Sequence, residues 1–123
     1  MYIDLLIRIK NAEAAGKDSV KVPYAKNDHA VAEILARFGF LASLEVKGRS
    51  LKKVMELKLN DARPIQGLKF LSRPSLRRYG KYREFRRVKS GQGLLVVSTP
   101  KGILTGEDAR KSKVGGEILF EIW

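Results

Sequence analysis

Three short segments carry the side chains with which this 123-residue chain could do chemistry. The first runs from Lys69 to Lys89, where Lys69, Arg73, Arg77, Arg78, Lys81, Arg83, Arg86, Arg87 and Lys89 stand against one acid, Glu84, with Tyr79, Tyr82 and Phe85 interleaved. Such cations neutralise phosphates and release condensed counterions, which gives affinity for a nucleic acid without regard to its sequence. The rings can stack on unpaired bases or simply anchor their loop to a core. A solvated loop with no partner is the alternative, and it leaves nine positive charges repelling one another.

The second segment is Ser98-Thr99-Pro100-Lys101-Gly102, directly after the apolar run Leu94 to Val97 and therefore at the tip of a strand. Two hydroxyls, a Lys and a Pro/Gly-shaped backbone suit close approach to a sugar–phosphate surface, where hydroxyls can pair with ribose 2′-OH groups. An ordinary polar turn is the other reading. The third segment is Gly115-Gly116-Glu117, whose glycines permit close backbone approach and whose carboxylate can accept from base amino groups, as Glu does with cytosine. The alternative there is a helix stop followed by a strand residue that balances a nearby Lys.

No constellation supports an enzyme. The chain has no cysteine, which removes a Cys nucleophile, a thiolate metal site and a disulfide framework. Its one histidine, His29, lies near the start of a helix, away from any Gly-x-Ser-x-Gly context. Gly91-Gln92-Gly93 lacks the Gly-Lys-Ser/Thr of a phosphate loop and joins strands. The reading therefore includes no catalytic residue, no metal, no cofactor and no small-molecule substrate. No apolar run approaches the roughly 20 residues that span a bilayer, and the start alternates apolar with charged residues where a signal peptide would be continuously apolar. A cytoplasmic protein with no membrane partner is expected.

Charge and hydropathy define the elements that must position these segments. The formal charge is +12 with a pI near 10.2, and 44% of residues are hydrophobic, enough for a folded core. Residues 63–123 carry 14 basic and 5 acidic side chains against 11 and 8 in residues 1–62, so the second half holds most of the field. Helical spacing predicts a first helix over Tyr2 to Ala15 with Ile3, Leu6, Ile7 and Ala14 on one stripe, and a second over Lys26 to Phe38 with Val31, Ile34, Leu35 and Phe38. Between them Val20 and Val22 make a short strand. A hairpin follows, Ala42, Leu44 and Val46 turning at Gly48-Arg49-Ser50 into Met55, Leu57 and Leu59.

The polar, Pro-containing stretch Asn60 to Pro64 reads as a linker. Beyond it lie strands at Ile65 to Leu71 and Leu94 to Val97, a short helix capped at Thr105-Gly106-Glu107-Asp108, and a last strand on which Ile118, Phe120 and Ile122 alternate with Glu117, Leu119 and Glu121. The expected fold class is α+β in two small α/β modules. Residues 1–62 form an N-terminal α-β-α-β-β module, and residues 63–123 form a C-terminal, mostly β module with one short helix that binds RNA.

The run Gly93 to Trp123, GLLVVSTPKGILTGEDARKSKVGGEILFEIW, resembles the signature of the bacterial-type small-subunit ribosomal protein number eight. Further blocks match along the whole chain: D-L-L-I-R-I-K-N-A at Asp4 to Ala12, V-P-Y-A-K at Val22 to Lys26, A-E-I-L-A-R-F-G-F at Ala32 to Phe40 and S-R-P-S-L-R-R-Y at Ser72 to Tyr79. The resemblance implies a structural protein of the small ribosomal subunit that binds the central domain of its ribosomal RNA early in assembly, beside neighbouring small-subunit ribosomal proteins. It also implies a possible second partner, the protein's own operon mRNA, bound for translational repression. Carried onto this chain, the RNA-binding residues would be Ser98, Thr99, Lys101 and Gly102 in the tip, Gly116 and Glu117 after the short helix, and Tyr79 with Arg77, Arg73 and Arg86. Arg8, Asn11 and Lys26 would form a more phosphate-directed surface on the first module.

Two departures bear on structure. Tyr24-Ala25-Lys26 stands where the family commonly has Ala-Ser-Lys, so a hydroxyl that could cap the second helix is absent, with Asp28 as partial compensation. Ser75 stands where Gly is common, which would reshape the loop bearing Arg77 and Tyr79 if that position needs a positive φ. The competing class is a double-stranded DNA-binding or nucleoid-type basic protein. A major-groove reader needs a helix rich in Arg, Asn and Gln, whereas the second helix, with Ala30, Val31, Ala32, Ile34, Leu35 and Ala36, has a core composition. An acidic-protein-binding module would need only the basic loop and would leave the Ser98 to Gly102 tip unemployed.

Overall fold

The computed structural model describes residues 2–49, 52–60, 63–73, 75–85 and 93–123. The chain divides into two compact units, Met1–Ile65 and Gln66–Trp123.

The first unit contains helix α1 (Tyr2–Ala14), strand β1 (Ser19–Pro23), helix α2 (Lys26–Arg37) and strands β2 (Leu41–Lys47) and β3 (Val54–Leu59), in the expected α-β-α-β-β order. The strands form an antiparallel sheet in the order β1-β3-β2. Met55, Leu57 and Leu59 point to the buried side, as their alternation requires. Two local expectations are corrected. The buried stripe of α1 is Tyr2, Leu5, Leu6, Ile9 and Ala12, while Ile7 is 43% exposed and Ala14 is exposed. Ile3, Leu5, Leu6, Ile7 and Ile9 spread over more than half of the helix circumference, so packing chose a face that the expected stripe missed. Ala42 is exposed because a bulge between Leu41 and Ser43 shifts the register of β2.

Helix α2 begins at Ala25 without a side-chain cap, and Asp28 in its first turn is buried. It ends in a paired closure: the N–H of Phe40 donates to Leu35 O and that of Gly39, at φ +87°, donates to Ala36 O. The expected linker is tied to this end. Asn60 Nδ2 donates to Gly39 O at 2.7 Å, and Arg63 donates to Phe38 O at 2.6 Å with its guanidinium 4.2 Å from the centre of the Phe40 ring. The Ile65 N–H then donates to the Glu13 carboxylate.

The second unit holds β4 (Leu68–Phe70), β5 (Tyr79–Gly80), a 3-10 turn (Tyr82–Glu84), β6 (Leu94–Thr99), β7 (Gly102–Thr105), helix α3 (Gly106–Lys111) and β8 (Gly116–Ile122). All strand pairs are antiparallel, in the order β4-β8-β6-β7, with β5 on β8 beyond β4. Leu95, Val97, Phe85 and Ala109 form a core to which Leu71, Tyr82, Leu104, Val114, Ile118 and Trp123 add. Thr105 caps α3 as its sequence indicates, its hydroxyl accepting from the Asp108 N–H. The expected strand Ile65 to Leu71 shrinks to Leu68–Phe70, since Ile65 packs in the first unit. The strand expected to stop at Val97 runs on to Thr99 and pairs with β7, for which the sequence offered no separate signal.

Candidate nucleic-acid interface

Antiparallel pairing sets Tyr79 of β5 opposite Glu117 of β8, Glu117 opposite Ser98 of β6, and Ser98 opposite Ile103 of β7. Directly paired residues lie on the same face of a sheet, so Tyr79, Glu117 and Ser98 form one row although they come from three separate segments of the chain. Gly80, next to Tyr79, pairs with Gly116, next to Glu117; both alternate to the other face of the sheet, where a Cβ at Gly80 would meet Ile118 and Phe85, while a Cβ at Gly116 would run into the Ser98 carbonyl. The glycines thus let the strands approach closely, and the row displays a ring, a carboxylate, a hydroxyl and, beyond Ser98, Ile103.

The groups differ in how far the fold already occupies them. Tyr79 is 70% exposed. The Ser98 hydroxyl has no hydrogen-bond partner among the described residues. Thr99 is committed locally: its hydroxyl accepts from the Lys101 N–H at 3.2 Å and donates to Gly102 O at 2.8 Å, closing the tight turn at Pro100-Lys101. Gly102 takes φ +114°, a conformation that side chains rarely adopt, and Lys101 stands exposed at the tip. Glu117 is mostly covered, its side chain 16% exposed, and Oε2 accepts from Arg77 at 3.2 Å.

Arg77 belongs to a loop with defined shape. The buried Ser72 hydroxyl accepts from the Arg78 N–H at 2.8 Å and donates to Arg78 O, while Arg73 and Leu76 exchange backbone hydrogen bonds around a tight turn. Ser75 in that turn is exposed. Arg73, Arg77, Arg78 and Lys81 are exposed along it, as is Leu76 at 68%. The other aromatic residues divide: Phe85 is buried and Tyr82 packs on the core as anchors, leaving Tyr79 alone of the three facing out. Arg86 lies outside the described residues.

The first unit's set is spread along two elements. Arg8 pairs with Asp4 at 3.3 Å one turn away on α1, Asn11 is exposed on the same helix, and Lys26 is exposed at the start of α2. A shallow groove of about 170 Å³ beside them is lined by Asp4, Arg8, Pro23 and Tyr24 among others. Sequence reasoning missed the cluster around Tyr24, where Lys53 Nζ lies 5.4 Å from the ring centre and the tilted His29 ring 5.5 Å from it. It also missed Leu76 and the Ser72 clasp. The signal available was the Ser72-Arg73-Pro74-Ser75 punctuation, which marks a turn without revealing what the turn displays.

Among the described residues no cluster of His, Asp and Glu could hold a metal ion, and no helix is long and apolar enough to cross a membrane. Comparison with known proteins agrees with the motif blocks. Residues 2–123 match the family model described as Ribosomal protein S8. Proteins named "Small ribosomal subunit protein uS8" from Thermoanaerobacter sp. (strain X514) and Streptomyces griseus are each 41% identical over 98% of this chain and 94% of their own length. One from Bacillus mycoides is 38% identical over the same shares. The chain belongs to the ribosomal protein S8 family.

Proposed function

We propose that this protein binds the central domain of 16S ribosomal RNA as an early step in small-subunit assembly, through the row Tyr79–Glu117–Ser98 and the cationic loop beside it. Family membership makes it a structural constituent of the small ribosomal subunit, in the cytoplasm, rather than an enzyme. The observation that carries the finer reading is the convergence on one row of the sheet of an exposed ring, a held carboxylate and a hydroxyl with no partner among the described residues. Charge alone would attract any nucleic acid. A ring, a carboxylate and a hydroxyl suit RNA whose bases and 2′-OH groups are open to a shallow surface.

Arg8, Asn11 and Lys26 of the first unit add phosphate contacts, and neighbouring small-subunit proteins cover other surfaces. An element of the operon mRNA that reproduces the same RNA shape would bind the same patch and repress translation. Duplex DNA is disfavoured because the exposed positions of α2 are Lys26, Asn27, Glu33 and Arg37, in which an acid stands among few base-reading side chains.

A competition between a central-domain RNA fragment and duplex DNA of equal length, at two salt concentrations, tests the reading. RNA should win, and its advantage should persist at the higher salt. Equal, fully salt-sensitive binding of both would reduce the surface to a nonspecific cation patch. Crosslinking to 16S RNA maps the element.

A further inference from the structure

We infer that Arg77 serves RNA recognition through Glu117, as a positioning residue for the carboxylate, and does not act as a phosphate-binding cation. The inference rests on the proposed RNA-binding role of the row and assigns its internal division of labour.

The geometry separates Arg77 from the other cations of its loop. One guanidinium nitrogen donates to Glu117 Oε2 at 3.2 Å, with the Arg77 side chain 42% and the Glu117 side chain 16% exposed. The Arg78 guanidinium, by contrast, has no ion pair among the described residues, although the backbone of Arg78 is fixed on both sides, to Ser72 Oγ and to the Ile118 N–H. Glu117 is anchored from β8 between Tyr79 and Ser98, so its backbone cannot follow a moving ligand. With Oε2 held by Arg77, no protein group among the described residues bonds Oε1, and that oxygen is left to accept from an RNA amino or 2′-hydroxyl group.

Electrostatics favours the same assignment. A lone carboxylate covered by RNA would meet phosphate repulsion, whereas a hydrogen-bonded ion pair carries no net charge to be repelled and keeps one acceptor in a fixed direction. A guanidinium spent in this way no longer displaces a counterion when RNA binds. Its removal should then leave the salt dependence of binding unchanged, although a phosphate-contacting cation contributes about 0.7 to 0.9 to the slope of log K against log[salt].

The test uses the full chain, a central-domain RNA fragment, a scrambled RNA of equal length and four variants: Arg77→Ala, Arg77→Lys, Glu117→Gln and Arg77→Ala/Glu117→Gln, with Arg78→Ala as the phosphate-type control and thermal melts to confirm folding. Arg77→Ala should weaken cognate binding about tenfold, leave scrambled RNA within twofold and keep the wild-type salt slope. Arg78→Ala should weaken both RNAs and flatten the slope. Arg77→Lys, which keeps a charge that can reach the carboxylate, should recover part of the loss even if the alanine variant folds poorly. In the Glu117→Gln background, Arg77→Ala should have almost no further effect on cognate binding. Additive effects of Arg77→Ala and Glu117→Gln, or a slope flattened as much as by Arg78→Ala, would overturn the positioning role and make Arg77 a phosphate contact. A wild-type protein that fails to prefer cognate over scrambled RNA would instead overturn the RNA-recognition reading itself.

Discussion

Gly116 lies against Ser98 so closely that an added Cβ would strike the Ser98 carbonyl first and the Ser98 carbonyl carbon at 2.9 Å next. Both neighbours are backbone in a central strand, so neither can swing aside as a flexible side chain would. Gly116→Ala should therefore push β8 from β6 at the row that carries Glu117 and Ser98. Overpacking of this kind costs about 1 to 3 kcal/mol. A lower melting temperature with amide shift changes centred on Ser98, Thr99 and Glu117 is the expected outcome, and an unshifted melt would mean that the sheet end opens freely.

Ser98 and Thr99 are adjacent hydroxyl residues with opposite expected phenotypes. Thr99→Val removes the donor to Gly102 O and the acceptor for the Lys101 N–H, a loss of about 1 kcal/mol per hydrogen bond. Faster amide exchange at Lys101 and a lower melting temperature should follow. Ser98→Ala removes a hydroxyl with no partner among the described residues, so the melt should hold while cognate RNA affinity falls. If both variants melt alike, the turn does not depend on the Thr99 hydroxyl.

Much of this was legible in the sequence because it was locally encoded. Met55, Leu57 and Leu59 alternate, and Thr105 precedes Asp108 at cap spacing, so β3 and the start of α3 follow from neighbours in the chain. The sequence pattern sets Ser98 and Glu117 at strand ends, and the structure pairs them. Features defined by a distant partner were not legible. The strand β7 is four residues ending in a cap, and β5 is two residues, so neither is long enough to display an alternation; β6 and β8 define them. The Arg77–Glu117 pair joins positions 40 apart with no pattern connecting them. In α1 a surplus of apolar residues, not a lack, concealed the buried face.

Lys113 closes α3 where glycine closes the other two helices. The Val114 N–H donates to Ala109 O and the Lys113 N–H to Arg110 O, the arrangement that Gly16 and Gly39 provide elsewhere, and Lys113 takes φ +56° to complete it. A side chain in this left-handed region costs about 1 kcal/mol. Lys113→Gly should raise the melting temperature, with scrambled-RNA affinity reporting separately on the lost charge. A lower melting temperature would indicate that the lysine side chain contributes more than its backbone costs.

Glu56, half-buried, and Lys47, exposed, form a cross-strand pair at 3.0 Å on β3 and β2. The hydrogen bond from Lys47, followed by its charge, holds the Glu56 carboxyl below its usual 4.5, and the same hydrogen bond, followed by the charge of the Glu56 carboxylate, raises Lys47 above 10.5. The lowered acid contributes stability above pH 4.5 that is lost as pH falls through its folded value. The raised base contributes below pH 10.5 and loses that contribution as pH climbs through its own. Glu56→Gln should thus lower the melting temperature slightly at neutral pH and low salt, with the difference closing in acid and at high salt. A difference that persists in acid would point to packing instead of charge.

Tyr79 offers the sharpest separation of recognition from folding, because the residue is 70% exposed while its backbone is paired to Glu117. The ring contributes little to the core, which Phe85 and Tyr82 already anchor. Replacing it should leave the melt within a degree or two. Stacking of one base on an aromatic ring is worth about 1 to 3 kcal/mol by alanine substitution, so Tyr79→Ala should weaken cognate RNA by roughly 5- to 150-fold. Tyr79→Phe, which keeps the π face and loses only the hydroxyl, should retain most of the affinity if stacking is the contact. If Tyr79→Phe binds as poorly as Tyr79→Ala, the phenol hydroxyl and not the ring face meets the RNA. If both bind as well as the wild type, the row ends at Glu117 and Tyr79 is solvent-facing in the complex.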